Sequence, residues 1–369
     1  MASSICCEPA QGRPKLARAH LGGRRRRRLG GAMNTPGPRK ALFEDGDAAR
    51  VLPVCDHYSG VEARMRKSLE LQAELGPVFD VTLDGEDGAP LGGEREHALL
   101  MTELVNSPAN RFGRIGVRVP PVEHPAFEDM VSTVVGGCGA KLAYLMIPKP
   151  RGLADLQRAV DAVDAATRDA ALPQPIPLHA LVETHGALRE VQALAAHPRI
   201  ESLSFGLMDF VSAHRGAIPA SAMGSSGQFE HPLVLRAKLE IAAACHAFAK
   251  TPSHCVVTEF KDEAALMVAA TKASRQLGYT RMWSIHPSQV RVIVDAFAPS
   301  TAEVDLASEI LMAAMAAGWA PIRHRDTLHD RASYRYFWQV LQRAHQTSYA
   351  GGAQLPASVR QAFFDERPA

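Results

Sequence analysis

Cysteine is scarce in this 369-residue chain: six residues, at positions 6, 7, 55, 138, 245 and 255. No two stand at paired metal-ligand spacing, so a zinc module and a disulfide-stapled fold are both excluded. A reduced, cytoplasmic protein is the expectation. Long apolar runs are also missing. No stretch of about 18 uninterrupted apolar residues occurs, so no membrane-spanning helix is expected. The nearest candidate, Ile310–Trp319, is short, Ala-rich and preceded by Glu309. The N-terminal stretch lacks the apolar core of a secretory signal. No G-x-G-x-x-G opens a helix after an early strand, which removes the dinucleotide-binding fingerprint. What remains is ample for a large core: 46% hydrophobic and 22% charged residues are incompatible with disorder throughout. At roughly 150 residues per domain the length suggests two domains, but α/β barrels use about 250 as one.

The formal net charge of +2 is unevenly spread. Residues 1–32 hold eight Lys/Arg, including Arg24–Arg28, against one acid, Glu8. The remaining 33 basic and 38 acidic residues leave the body near −5 and the tail near +7. A nucleic-acid partner inferred from overall basicity would therefore rest on the tail alone, and none is expected. Residues 1–46 read as a disordered basic tail, and Met33 is an alternative start within it.

Beyond the tail, short β-branched or apolar runs alternate with longer helical patterns. The runs are Val51–Cys55, Phe79–Leu83, Ile115–Val119, Leu142–Ile147, Leu178–Val182, Ser202–Phe205, Cys255–Thr258 and Met282–Ile285. Parallel strands need crossover connections, so this alternation predicts βαβ units. Eight units predict an α/β fold, a (β/α)8 TIM barrel over residues 47–300. An open doubly wound sheet shares the alternation. The barrel is preferred because polar residues follow nearly every run, where a barrel gathers its chemistry. Residues 301–369 read as a helical C-terminal extension, a lid or subunit contact, with an aromatic stripe of Tyr334, Tyr336, Phe337 and Trp338.

The strand ends carry the candidate groups. Run two ends in Asp84, Glu86 and Asp87, three acids that would raise one another's pKa unless a cation stood near. Arg118 sits between valines at the end of run three, where a guanidinium is costly unless paired and suits carboxylate binding. Lys149 ends run four and is placed to pair with those acids. Glu183 and Asp209 end runs five and six. Two carboxylates on adjacent strands suit Mg2+, which takes one or two protein carboxylates and fills its octahedron with substrate oxygens and water. His286 ends run eight, as a base or a structural hydrogen-bonder.

These residues, in this order, resemble the citrate lyase β-subunit family of the aldolase/citrate lyase superfamily, a group of Mg2+-dependent barrels. The resemblance runs from about Leu52 to Pro299. It rests on Leu83-Asp-Gly-Glu-Asp87, Val117-Arg-Val119, Ile147-Pro-Lys149, Val182-Glu-Thr184 with Gly186, Phe205-Gly206 with Asp209, and Ile285-His-Pro-Ser-Gln289. The resemblance implies Glu183 and Asp209 as Mg2+ ligands, Arg118 as the group holding a substrate carboxylate or enolate, and a carboxylate pocket near Gly206. It implies an acidic surround of Asp84, Glu86 and Asp87 linked to Lys149. Arg64 and Lys67 are similar to a basic pair near the CoA phosphates in CoA-dependent members. The implied activity is reversible carbon–carbon cleavage of a 3-hydroxyacyl thioester, of malyl-, citramalyl- or citryl-CoA type, to a 2-oxo acid and an acyl thioester. A homotrimer or hexamer is the implied assembly.

Three departures stand out. Gly85 and Gly88 replace larger residues, predicting a looser turn after run two. A Gly/Ser/Ala-rich loop, Ser212–Glu230, is longer than the family pattern and is expected over the pocket mouth. The counterparts of the family's C-terminal lid acid are Asp326 and Asp330, in a poorly matching context. Two rival readings follow: a divalent-metal aldolase acting on 4-hydroxy-2-oxo acids without CoA, which shares Asp84-Gly-Glu86, and a non-catalytic barrel scaffold.

Overall fold

The computed structural model describes residues 36–43, 51–89, 91–349, 352 and 354–365. Eight parallel strands close into a barrel in sequence order: β1 Cys55–Ser59, β2 Phe79–Asp84, β3 Ile115–Arg118, β4 Tyr144–Ile147, β5 Leu178–Val182, β6 Ile200–Phe205, β7 Thr251–His254 and β8 Arg281–Ser284. Closure is made by β1 against β8, with Cys55 opposite Met282 and His57 opposite Ser284. Every strand is followed by at least one helix, which covers its outer face. Val81, Leu83, Ile115, Val117, Leu145 and Ile147 are fully buried in one apolar cluster with those helices. The open sheet is thereby excluded.

Two strands lie away from their expected positions. β1 begins where the first run ends, and β7 precedes the seventh run by four residues. Their sequences, Cys-Asp-His-Tyr-Ser and Thr-Pro-Ser-His, are polar yet wholly buried. The reason is a charged barrel interior. Arg281 is completely buried, with Nη1 donating to Asp80 Oδ2 at 2.5 Å and Nη2 3.0 Å from Asp56 Oδ2. Asp56 also accepts from Thr82 Oγ1 at 2.6 Å and Tyr144 Oη at 2.9 Å. Burial alone would push the Asp56 carboxyl up, but Arg281 and these donors more than offset it and hold it below its usual value. Asp56, Thr82, Tyr144 and Arg281 partner one another inside the barrel, a pattern that hydrophobicity does not detect.

Beyond the barrel, a helix over Thr301–Ala316 starts at a capping box between Ser300 and Glu303 and packs on a helix over Arg331–Thr347. Val304, Ile310, Leu311, Trp319, Tyr334, Trp338 and Leu341 form a second hydrophobic cluster. Between these helices lies a short antiparallel hairpin, β9 Ile322–His324 and β10 Thr327–His329, so the extension is not wholly helical. It touches the barrel at the N-terminal ends of strands: Gln346 Nε2 donates to Leu52 O, ahead of β1.

Most of the expected disordered tail lies outside the described residues. Pro38–Leu42, however, form a helical turn, and Leu42 is buried in the second cluster. Trp319 Nε1 donates to Pro36 O at 2.9 Å and Arg335 Nε to Leu42 O at 2.8 Å. That part of the tail is ordered because an apolar side chain and two backbone carbonyls find partners.

Candidate active site

The C-terminal ends of β2 to β6 bring one charged cluster together. Arg118, the last residue of β3, lies in register with Asp84, the last of β2. Its Nε and Nη2 donate to the two Asp84 oxygens at 2.7 and 2.5 Å, and Nη1 lies 2.9 Å from Glu86 Oε2. The arginine fork is thus fixed by two carboxylates. Three of its five N–H groups are committed, and two remain for a ligand. The Tyr58 ring packs beneath it, with the guanidinium carbon 5.4 Å from the ring centre.

Glu86 continues the chain of charges to Lys149, whose Nζ lies 2.5 Å from Glu86 Oε1, 2.9 Å from Asp87 Oδ2 and 3.6 Å from Asp209 Oδ1. Lys149 adopts a left-handed backbone (φ 50°), which turns its amide toward β5. That amide donates to Glu183 Oε1 at 2.8 Å. Burial pushes Glu86 above the usual carboxylate range, whereas Lys149 holds Asp87 below it despite partial burial.

Glu183 follows β5 and is 3% exposed, as deep as Asp84. Burial, reinforced by the Asp209 carboxylate, pushes its pKa up to about 8. Asp209 approaches from the first turn of the short helix Leu207–Ser212 after β6. Between them, Gly206 leaves no room for any side chain. An added Cβ would stand 2.1 Å from Glu183 Oε2. Five carboxylates (Asp84, Glu86, Asp87, Glu183, Asp209) thus face two cations, Arg118 and Lys149, at one barrel mouth. Among the described residues no set of three or more His, Cys, Asp or Glu is arranged as a complete metal cage. The Glu183–Asp209 pair is a partial one. One buried and one partly exposed, its mutually repelling carboxylates suit a hard cation that completes its shell with other oxygens.

The turn after β2 is tight, contrary to the expectation of looseness. Gly88 N donates to Asp84 Oδ2 at 2.8 Å, and a Cβ on Gly88 would lie 2.3 Å from that oxygen. Glycine here allows the backbone to close on the carboxylate that anchors Arg118.

Other expected residues stand apart from the cluster. His286 caps the helix Pro287–Phe297, its Nδ1 accepting from Ser288 N at 3.3 Å, and stacks on Phe260. Arg64 and Lys67 are exposed near the start of the helix Glu62–Leu75, with Lys67 Nζ 3.0 Å from Glu70. Asp330 caps the helix Arg331–Thr347, and Asp326 lies at the hairpin turn paired with Arg323.

The long loop does lie at the catalytic end, tethered beyond β7. Ser225 N donates to Glu259 Oε1 at 2.9 Å. Gln228 is fully buried, its Oε1 accepting from Lys238 Nζ at 2.7 Å and Cys255 Sγ at 3.1 Å. The tethers Glu259, Gln228, Lys238 and Cys255 escaped sequence reasoning, as did the stacked pair Tyr58–Trp283 (4.5 Å between ring centres). Aromatic residues near two strand ends were the available signal. Tyr58 Oη and Trp283 Nε1 are buried without a partner among the described residues.

Comparison with known proteins agrees with this fold. The chain belongs to the HpcH/HpaI aldolase/citrate lyase family, whose profile matches residues 78–287. It is 27% identical to an L-malyl-CoA/beta-methylmalyl-CoA lyase of Cereibacter sphaeroides (strain ATCC 17025 / ATH 2.4.3) over 73% of this chain and 88% of that one. A crystal structure of a citrate lyase from Burkholderia xenovorans LB400 is 52% identical, with a TM-score of 0.76 over 89% of this chain and 100% of that one. The fold is shared by the protein CitE of Mycobacterium tuberculosis, solved with magnesium, acetoacetate and coenzyme A (19% identity, TM-score 0.59, 80% of this chain and 99% of that one).

Proposed function

We propose that this protein is a Mg2+-dependent carbon–carbon lyase that cleaves, or forms, a 3-hydroxyacyl thioester of malyl-, citramalyl- or citryl-CoA type, giving a 2-oxo acid and an acyl thioester. The observation that carries this reading is the Glu183–Asp209 pair beside a preorganised Arg118, at the catalytic end of a barrel of this family. The relative from Cereibacter sphaeroides, a malyl-CoA lyase by name, supports the thioester class.

Glu183 and Asp209 would hold the cation. When bound, Mg2+ supplies Lewis-acid polarisation of the substrate's hydroxyl or keto oxygen. Every other part falls to the chain itself. The two uncommitted N–H groups of Arg118 bind a carboxylate or the enolate oxygen that develops on cleavage, and Asp84 and Glu86 keep the fork from rotating. Lys149 holds Glu86 and Asp87 together and offsets their charge. Gly206 lets the backbone come against the Glu183 carboxylate, where a carboxylate-bearing substrate sits. Glu86, which burial raises above the usual carboxylate range although Arg118 and Lys149 act against it, is the carboxylate placed to exchange a proton with the substrate hydroxyl. Arg64 and Lys67, exposed on the first barrel helix, would meet the CoA phosphates. His286 would bind substrate only through Nε2, since Nδ1 is engaged in capping.

We assign the catalytic unit to residues 47–300 and treat 301–369 as an accessory extension. A cytoplasmic homotrimer or hexamer is the expected form. Among the described residues four free, buried thiols suit a reducing compartment, and no helix is long and apolar enough to cross a membrane.

The test is a substrate screen of purified protein with Mg2+. One arm measures 2-oxo acid release from malyl-, citramalyl- and citryl-CoA, and the other supplies 4-hydroxy-2-oxo acids without CoA. Turnover of the free oxo acids alone refutes the thioester reading in favour of the aldolase. Activity surviving Glu183→Gln together with Asp209→Asn refutes the metal-site assignment.

A further inference from the structure

The barrel has a second charged concavity, at the end opposite the catalytic mouth. Val51 and Leu52 ahead of β1, Ala249–Thr251 at the start of β7, Thr280 ahead of β8, and the helix Arg331–Thr347 enclose a cavity of about 320 Å³. Its polar lining is Lys250, Thr251, Thr280, Gln339, Gln342 and Arg343, joined by His246 and Gln346. Among the described residues no carboxylate lines it. His246 Nε2 is engaged with Gly278 O at 2.7 Å, and Gln346 with Leu52 O.

The two cations are not matched from elsewhere among the described residues. Among the described residues neither the Arg343 guanidinium nor the Lys250 ammonium has a hydrogen-bond or ion-pair partner. The carboxylate acting on Arg343 is Glu303, which Arg275 already holds at 2.8 Å, and Arg275 itself repels Arg343. Burial and that repulsion hold Arg343 below its usual value. Lys250 is likewise lowered by burial, with Glu201 and Cys245 acting in the other direction. Glu201 lies 3.1 Å from His179 Nε2. A folded chain rarely keeps two half-buried cations beside a cavity of free amides and hydroxyls without an anion to meet them.

We propose that this cavity is a second ligand site, separate from the catalytic mouth, that binds a small organic dianion of the dicarboxylate class. Arg343 takes one carboxylate with its planar fork, and Lys250 takes the other. Gln339 and Gln342 supply amides to oxygens between them. The volume lies at the lower end of small-molecule pockets, which fits an acid of about four to six carbons and excludes a CoA thioester. A dianion is required because one carboxylate leaves one of the two cations unmatched.

The experiment is isothermal titration of the full chain with succinate, butyrate and inorganic phosphate as probes. Three proteins are compared: the parent, Lys250→Gln/Arg343→Gln, and Glu183→Gln, which is altered only at the catalytic end. Saturable succinate binding is expected in the parent and in Glu183→Gln, with at least about a tenfold loss in the double variant and in the butyrate titration. Gln342→Glu places an internal carboxylate beside both cations. It is expected to raise the Tm without ligand and to abolish succinate binding, and it serves if the double variant does not fold. The proposal is overturned by unchanged succinate affinity in either cavity variant, or by no saturable heat up to about 10 mM. Phosphate binding as tight as succinate overturns the dicarboxylate assignment.

Discussion

Lys238 is the sharpest place to test how this chain holds its long catalytic-end loop. The residue lies on the helix Pro232–Ala247, completely buried, with Nζ donating to Gln228 Oε1 at 2.7 Å and lying 4.0 Å from the centre of the Phe229 ring. Gln228 and Phe229 belong to the loop and Lys238 to the barrel, so one ammonium pins one to the other. No carboxylate shares the site. Burial therefore dominates, and it lowers the Lys238 pKa to about 8, from 10.5 for a free lysine.

The sign of the consequence is fixed. An unfolded lysine keeps its proton to about pH 10.5, whereas the folded one releases it near 8. Between these values the unfolded chain binds more protons, so raising the pH stabilises the fold, and below pH 8 the full cost of burying the charge is present. From pH 7 to 10 the gain from this one group is about 2–3 kcal/mol, because the folded lysine releases its proton near 8 and the unfolded one near 10.5. Lys238→Met keeps the volume and removes the titration. The assay is urea unfolding of parent and variant at pH 7, 8, 9 and 10, in which other titrating groups cancel in the difference. The stability advantage of the variant, or its smallest disadvantage, is expected at pH 7, with the parent gaining on it by about 2–3 kcal/mol by pH 10. Parallel stability curves refute the reasoning. They would mean that the ammonium is solvated in solution and the loop is not pinned by it.

Three further outcomes follow from the geometry. Arg281→Met leaves Asp56 and Asp80 buried without their shared cation, and a loss of about 3–5 kcal/mol in urea unfolding is expected. A loss below about 1 kcal/mol would show that the barrel interior is hydrated. Gly206→Ala drives a methyl to 2.1 Å from Glu183 Oε2, so kcat/KM is expected to fall about a hundredfold, while far-UV circular dichroism stays unchanged. Because Glu183 holds a proton to about pH 8 when no metal ion faces it, the half-saturating Mg2+ concentration is expected to fall about tenfold per unit as pH rises toward 8. A pH-independent value from pH 6 to 8 would remove Glu183 from the cation site.

The catalytic end was legible in the sequence because it is written in local words. Asp84, Arg118, Lys149, Glu183 and Asp209 each close an apolar β-rich run, and in a barrel the ends of successive strands meet in space. Their pairings needed only neighbouring strands: Asp84 with Arg118 across β2 and β3, and the Lys149 amide with Glu183 across β4 and β5. The glycines misled because their role is in contact, not in flexibility. Gly88 and Gly206 both stand against carboxylates that lie elsewhere in the chain or four residues back. That closeness has no signature in composition.

The opposite end was illegible for the converse reason. β1, β7 and β8 contribute Asp56, His57, Ser253, His254 and Arg281 to the interior, so these strands carry the residue types that sequence reading assigns to turns. Their central carboxylate is tolerated only because partners arrive from three other strands. Asp56 of β1 meets Thr82 of β2, Tyr144 of β4 and Arg281 of β8. Pairwise periodicity cannot register such a network, since no member is satisfied by its own neighbours in sequence. The same blindness extends to the cavity beneath it. Lys250 precedes β7 and Arg343 lies on the last long helix, 93 residues later, and each alone looks like an ordinary surface cation. Only the closed barrel, with the extension folded back onto Leu52, makes them neighbours across one cavity. A pair of charges so assembled is a stronger pointer to a ligand than either residue's identity, because among the described residues folding has gathered the charges without gathering a counter-charge.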